Sequence, residues 1–139
     1  MNIYFLVEGV TESKLYPQWL SYLLPEMEKV RYYDEIIAQN YYLFNAGGYP
    51  SIIDVHLPRA IQDVNSIDKY DYLSLCFDAD EDEVQARINK IKHYLNDKGL
   101  ILNRAKLIFI VQNRCIETWL LGNRKIFKRN PQNYQYRSA

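Results

Sequence analysis

The run Ile3-Tyr4-Phe5-Leu6-Val7-Glu8-Gly9, near the start of this 139-residue chain, predicts a short strand that ends at a carboxylate. Five consecutive apolar residues indicate a strand buried on both faces. Glu8 stops the run, and Gly9 permits a sharp turn directly after it. Strands without polar alternation are typical of parallel sheets that carry helices on both sides. This first run therefore favours an α/β protein.

Extended and helical patterns alternate over the rest of the chain. Further strands are predicted at 41–44, 72–77 and 106–111. Helices are predicted at 12–24, 51–64 and 82–95, and a fourth helix is predicted to begin near 116. Thr11 suits the N-cap of the first helix, and Pro17 predicts a kink or a late start within it. Residues 25–39 follow neither pattern clearly and fit a short helix or an irregular excursion.

These alternating elements predict the architecture. We expect an α/β fold, a Rossmann-like three-layer sandwich with a mostly parallel four-stranded sheet. The length corresponds to about one domain. We expect that domain over residues 1–125, followed by a basic and polar tail over 126–139 that is either frayed or truncated.

Composition limits the class of protein. The chain is 48% hydrophobic and 24% charged, which is ordinary for a globular domain and argues against disorder or a fibrous repeat. Two cysteines exclude a disulfide scaffold and a four-cysteine zinc site, and they favour a reducing, cytoplasmic environment. No apolar run is long enough for a membrane span, and the first residues carry no basic leader.

The zero net charge hides an asymmetry along the chain. Residues 1–98 hold 9 basic and 16 acidic side chains, whereas residues 99–139 hold 8 basic side chains and a single acid, Glu117. This separation predicts an acidic centre beside a basic surface. An acidic centre suits cations, and a basic surface suits a polyanion such as DNA or RNA. A solvated basic tail would produce the same counts.

Carboxylates follow three of the predicted strands. Glu8 follows the first strand, Asp78 and Asp80 follow the third, and Glu117 lies shortly after the fourth. Parallel strands bring these positions to one edge of the sheet, where Glu12 in the first helical turn also lies. Carboxylates gathered in this way raise one another's pKa unless a cation compensates their charge. All-oxygen ligands favour Mg²⁺ or Mn²⁺ over zinc.

Plainer interpretations exist for each of these motifs. Asp78 and Asp80 begin an acidic run that also suits the solvated entry to a helix. Gly47-Gly48 suits either a tight turn or a close approach of backbone amides to a phosphate. His56 and His93 are isolated and fit surface residues better than metal ligands.

Three segments taken together resemble the Toprim domain, the metal-dependent catalytic fold shared by topoisomerases, primases and overcoming-lysogenization-defect nucleases. They are Val7-Glu8-Gly9 with Thr11-Glu12, Asn45-Ala46-Gly47-Gly48, and Phe77-Asp78-Ala79-Asp80. The pattern Val-Glu-Gly-x-Thr-Glu is closest to the nuclease branch. Residues 115–121 also resemble the Glu-x-Trp-Leu-Leu segment of small stand-alone Toprim proteins, which often lie beside ATPase genes in bacterial defence loci. The resemblance covers residues 2–122.

The resemblance implies a metal-dependent endonuclease that hydrolyses DNA or RNA with one or two Mg²⁺ or Mn²⁺ ions, as the effector of an antiviral defence system. By position, Glu8 would be the strand-one glutamate, and Asp78 and Asp80 would be the metal-binding pair. Glu12 would match the second glutamate of the nuclease branch, and Glu117 is a further candidate ligand. The run Glu81-Asp82-Glu83 leaves the alignment of a third acidic position open.

Basic residues are candidates for contact with the phosphate backbone. They are Lys14, Arg114, Arg124, Lys125, Lys128 and Arg129. Tyr49 stands where some proteins of the nuclease branch carry a lysine after the glycines. A catalytic basic residue would then come from Lys14, Lys106 or Arg114.

Three other functions fit the same residues. The chain is alternatively a catalytically silent Toprim-like partner of an ATPase that binds nucleic acid or regulates the ATPase. It could instead be a receiver-like protein that is phosphorylated on an aspartate, or a structural domain. The sequence leaves self-association open.

Overall fold

The computed structural model of the protein describes residues 1–78 and 83–112. Its strands are β1 (Ile3–Val7), β2 (Glu28–Lys29), β3 (Asn40–Asn45), β4 (Tyr72–Asp78) and β5 (Lys106–Gln112). Its α-helices are α1 (Val10–Leu23), α2 (Leu57–Ile67) and α3 (Val84–Lys98). A 3₁₀ turn spans Tyr33–Glu35, and a π-helical turn at Ile52–His56 leads into α2.

The strands form one sheet in the order β2-β3-β1-β4-β5, and every neighbouring pair is parallel. In the register of the sheet, Val7 at the end of β1 lies between Asn45 of β3 and Cys76 of β4. The predicted α/β class and parallel sheet are confirmed, and the arrangement is consistent with a Rossmann-like fold.

The prediction of four strands was wrong, because the described residues form five. The additional strand, β2, has two residues, and both are exposed. It pairs with the start of β3, where the Glu28 N–H donates to Gln39 O at 2.9 Å and the Val30 N–H donates to Tyr41 O at 2.9 Å. A strand this short carries no apolar pattern, so only its pairing with β3 reveals it.

Helices cover both faces of the sheet in the described part of the chain. On one face, α1 packs over alternate residues of β1 and its neighbours, with Tyr16 and Trp19 beside Phe5 and Val7. On the other face, α2 and α3 cover the intervening residues. That cluster includes Leu6, Leu75, Phe77, Leu57, Ile61 and Ile91. The alternation of side chains along a strand divides the core into these two layers.

Helix boundaries differ from the sequence predictions in all three described helices, and the third, predicted over 82–95, spans Val84–Lys98. The first helix begins at Val10 with Gly9 as its N-cap, not Thr11, and it continues through Pro17 without a late start. The second begins with a π-helical turn in which the Leu57 N–H reaches Ile52 O, five residues earlier. Pro58 follows at once and has no N–H to donate. The fourth predicted helix, from residue 116, lies outside the described residues.

Across residues 1–78 and 83–112, no helix is both long and apolar enough to cross a membrane.

Candidate functional site

The topology places a crevice at the carboxyl ends of β1 and β4. The chain leaves β1 through α1 toward β3, on one face of the sheet, and leaves β4 through α3 toward β5, on the other face. Two adjacent strands whose connections diverge in this way form a topological switch point, where α/β sheets bind their ligands. Glu8 follows β1 directly, and Asp78 is the last residue of β4.

A cleft of about 300 Å³ opens at this point. Three acidic side chains line it, together with small residues from the ends of β1 and β3. The lining consists of Glu8, Gly9, Val10, Thr11, Glu12, Asn45, Gly47, Gly48 and Asp78. The structure therefore brings together three of the four predicted catalytic residues. It also brings the glycine turn to the same cleft.

Glu8 is held across the gap between the two strands. Its Oε2 atom accepts a hydrogen bond of 2.6 Å from the backbone N–H of Asp78. A short hydrogen bond to a carboxylate is the charge-assisted kind, which is stronger than a neutral one. The two acidic positions are thus tied to one another through the main chain of β4.

Glu12 is buried, with 4% of its surface exposed, in the first turn of α1. The N-terminal turn of a helix favours a carboxylate, because the backbone N–H groups there carry partial positive charge. Gly9 makes room for this side chain. A Cβ atom at position 9 would lie 3.2 Å from Glu12 Oε2, closer than ordinary van der Waals contact. Gly9 has an extended backbone, so its small size matters here and its conformational freedom does not.

The turn after β3 borders the cleft with bare backbone. Gly47 and Gly48 have φ angles of +80° and +131°, in a region that side chains rarely adopt. Nothing lies within 4 Å of the position that a Cβ would take at either residue. The Gly47 N–H donates to Asn45 Oδ1 at 2.9 Å, and the Ile52 N–H donates to Gly48 O at 3.0 Å.

Beneath the cleft, Cys76 is fully buried next to Tyr16 and Ser74. Burial raises the pKa of the Cys76 thiol to about 12, although hydrogen bonds with the Ser74 and Tyr16 hydroxyls act in the opposite direction. Burial is the larger cause that raises the pKa of the Tyr16 hydroxyl above its ordinary range, and the nearby Cys76 raises it further. Both groups therefore stay neutral under the cleft.

The remaining predicted site residues have different outcomes. Lys14 is exposed on α1 and does not belong to the cleft lining. Lys106 opens β5, at the amino edge of the sheet, so it is wrong as a catalytic basic residue: a seven-residue strand separates it from the carboxyl edge by roughly 20 Å. The other predicted residues lie outside the described residues. They are Asp80, Arg114, Glu117, Arg124, Lys125, Lys128 and Arg129.

The donors in the cleft suit a hard divalent cation, since all three are carboxylates. These three carboxylates alone do not form a complete set of metal ligands. Within residues 1–78 and 83–112, no group of three or more His, Cys, Asp or Glu side chains is placed to hold a metal ion. Glu8 already accepts a backbone hydrogen bond, which limits how its carboxylate can turn toward an ion.

Arg87 is a residue near the turn that sequence reasoning missed. It is 5% exposed, and its guanidinium carbon lies 4.0 Å from the centre of the Tyr49 ring. The signal was present in the helical pattern, because Arg87 is three residues after Val84 and four before Ile91, on the buried face of α3.

Comparisons with protein-family models, curated proteins and solved structures return no match to this chain.

Proposed function

We propose that this protein is a Toprim-like, Mg²⁺- or Mn²⁺-dependent nuclease that hydrolyses phosphodiester bonds of DNA or RNA. The observation that carries the proposal is the cleft at the switch point, where Glu8, Glu12 and Asp78 meet beside the Gly47-Gly48 turn. The same residues carry the resemblance to the Toprim family. Asp80 and Glu117 are the further ligands that the sequence suggests.

The three cleft carboxylates would hold the cation together with Asp80 or Glu117, which would complete the set of ligands. Burial and the first turn of α1 fix Glu12, and the backbone of β4 fixes Glu8. Groups fixed before the ligand arrives bind it without first losing conformational freedom. A divalent cation held there would lower the pKa of bound water and stabilise charge on phosphoryl oxygens.

The glycine turn would admit the substrate backbone. Gly47 and Gly48 leave open space on the cleft side, so a phosphate group can approach the main chain there. The basic residues after β5 would contact neighbouring phosphates and make binding sensitive to salt. The carboxylates would thus hold the cation at the phosphodiester that is cut, and the glycines would leave room for the phosphate group beside the main chain.

A second candidate function has an observation in its favour. Glu8 Oε2 already accepts a hydrogen bond from the Asp78 N–H, so this carboxylate has a partner within the protein, which suits a catalytically silent partner that binds nucleic acid or regulates an ATPase. Such a partner would bind nucleic acid in EDTA as well as in Mg²⁺. It would also cut none of the substrates.

Cleavage tests the proposal directly. Supercoiled DNA, single-stranded DNA and total transfer RNA are incubated with the protein in Mg²⁺, Mn²⁺ or EDTA. We expect cutting of at least one substrate in Mg²⁺ or Mn²⁺ and none in EDTA. Glu8→Gln, Asp78→Asn and Asp80→Ala should each lower the rate by at least about 100-fold, as expected for groups that stabilise transition-state charge.

Glu28→Gln is the matched control, because Glu28 is an exposed glutamate on the edge strand β2, away from the cleft. It should cut at the wild-type rate. Retained cutting by the cleft variants would refute the assignment of these carboxylates. Metal binding without cutting of any substrate would favour the regulatory partner.

A further inference from the structure

Arg87 is a charged side chain that α3 buries against the turn after β3. Its exposure is 5%, and its guanidinium stacks on the Tyr49 ring at 4.0 Å. Arginine is rarely buried, keeps its charge at every accessible pH, and stacks on aromatic faces. The contact therefore joins α3 to the residue that directly follows Gly48.

The Gly47-Gly48 turn packs against α3 through the neighbouring residue Tyr49. Gly47 and Gly48 have no side chains, and open space surrounds the positions that a Cβ would take. The Gly47 N–H donates to the side-chain Oδ1 of Asn45, and Gly48 O accepts a hydrogen bond from the Ile52 N–H. Tyr49, which is 43% exposed, is the first residue after the glycines that can anchor the turn to another element.

The same contact involves the first turn of α3, the helix that follows β4 in the chain. Arg87 lies in the first turn of α3, where its own N–H donates to Glu83 O at 3.0 Å. That helix follows β4, whose last residue, Asp78, lines the cleft. The Arg87–Tyr49 stack thus links the first turn of α3 to the turn after β3, which borders the cleft.

We propose that Arg87 is a positioning residue that, through Tyr49, holds the Gly47-Gly48 turn in its open conformation at the edge of the cleft. The order of the turn is a property of the protein alone. Its consequence, correct placement of a substrate phosphate, rests on the proposed function. Neither residue needs to touch the substrate.

Nuclear magnetic resonance of the protein labelled with ¹⁵N-glycine tests this without substrate or metal. The chain has five glycines, so the spectrum is simple and the Gly47 and Gly48 amides are directly observed. We expect Arg87→Met and Tyr49→Leu each to shift and broaden both resonances while the Gly99 resonance stays unchanged. In uniformly ¹⁵N-labelled protein, exchange of the Ile52 amide should become about tenfold faster in both variants, because the turn opens more often.

Three further variants sharpen the result. Tyr49→Phe keeps the ring and should leave the spectrum as in the wild type. Combining Arg87→Met with Tyr49→Leu should change the Gly47 and Gly48 resonances by less than the sum of the two single changes, because both variants remove the Arg87–Tyr49 stack. Lys92→Met is the matched control, since Lys92 is on the same helix and lies 5.9 Å from the Phe109 ring. It should leave Gly47 and Gly48 unaffected.

Unchanged Gly47 and Gly48 resonances in Tyr49→Leu would overturn the proposal. Tyr49 is partly exposed, so this variant leaves no cavity in the core and serves as the test if Arg87→Met fails to fold. Equal perturbation by Lys92→Met would also contradict it. In the cleavage assay, Tyr49→Leu should lower kcat while metal affinity is retained, and Tyr49→Phe should restore kcat. A protein that cuts nothing leaves the spectroscopic result intact, so the two proposals fail separately.

Discussion

At Gly9, a single missing Cβ atom determines where a buried carboxylate can lie. The nearest heavy atom to that missing Cβ is Glu12 Oε2, at 3.2 Å. Glu12 is 4% exposed and has little freedom to move away. The sequence indicated the importance of Gly9 as a turn former, whereas the structure shows it as an extended N-cap that leaves room for Glu12.

Gly9→Ala should therefore weaken both metal binding and folding. We expect Mn²⁺ affinity to fall about fivefold through displacement of the Glu12 carboxylate, and the free energy of unfolding to fall by about 0.5–1 kcal/mol because alanine caps helices less well than glycine. Mn²⁺ titration and urea unfolding measure the two effects. Gly99→Ala is the control, since its φ of +66° predicts a loss of stability of about 1 kcal/mol without a change in affinity. Equal affinity in Gly9→Ala and the wild type would count against crowding at Glu12.

Cys76 should be inert in the folded protein. The thiol is fully buried, and burial raises its pKa to about 12, so thiolate is scarce near neutral pH. In a Cys115→Ser background, iodoacetamide should modify Cys76 only after denaturation. Mass spectrometry of the native and denatured samples provides the check. Rapid modification of the native protein would show that the environment of Cys76 differs from this description.

At the scale of elements, Asn2 ties the start of β1 to two loops. Its side chain accepts a hydrogen bond from the Asn40 N–H at 3.0 Å and donates to Lys69 O at 2.9 Å and Ile37 O at 3.3 Å. The residue is 6% exposed, so water cannot readily replace these bonds. β1, β3 and β4 therefore share one polar clamp at the amino edge of the sheet.

Asn2→Ala should lower the free energy of unfolding by about 2–4 kcal/mol, because it leaves several buried polar groups without their partner. Urea unfolding followed by circular dichroism measures the change. Asn89→Ala is the matched control, since Asn89 is exposed and its side chain accepts a hydrogen bond from Gln85 on the same helix. A loss in Asn2→Ala no greater than that of the control would mean that the clamp contributes little.

How well each element could be predicted depends on how much of its pattern is local. Five apolar residues defined β1 to the residue, and the apolar run of β4 was predicted one residue short of its end. β2 could not be predicted, because a two-residue exposed strand exists only through its pairing with β3. The strand ends predicted Glu8 and Asp78 at one edge. Arg87 was missed because its role depends on Tyr49, 38 positions earlier in the chain.

At the scale of the whole molecule, tyrosines are packed into both layers of the core. Burial raises the pKa of Tyr4, Tyr16 and Tyr70 above their ordinary range. The Tyr70 hydroxyl donates to Tyr33 O at 2.6 Å, and Tyr4 packs edge-on against both Tyr42 and Tyr70. These hydroxyls stay protonated while the chain is folded.

Stability should therefore fall in alkaline solution. The pKa values of Cys76 and the three tyrosines are higher in the folded chain than their ordinary values of 9.0 and 10.0, so deprotonation favours the unfolded chain. The contribution is fully present below pH 9.0 and is lost as pH rises, at up to about 1.4 kcal/mol per pH unit for each group. Tyrosinate absorbance and circular dichroism should change together during an alkaline titration.

Tyr70→Phe removes one of these groups, so the loss of stability per pH unit should be smaller in that variant. Its reference stability near neutral pH should be lower, because the hydrogen bond to Tyr33 O is gone. Full ionisation of all tyrosines before any change in circular dichroism would contradict the burial of these hydroxyls.

The function of the cleft depends on whether its carboxylates act together on a divalent cation. Titration of Mn²⁺, followed by electron paramagnetic resonance, measures this in the wild type, Asp78→Asn and Glu28→Gln. We predict saturable binding by the wild type and Glu28→Gln, with affinity at least about tenfold weaker in Asp78→Asn. Equal affinity in all three proteins, or no binding by the wild type, would contradict a metal site at the ends of β1 and β4.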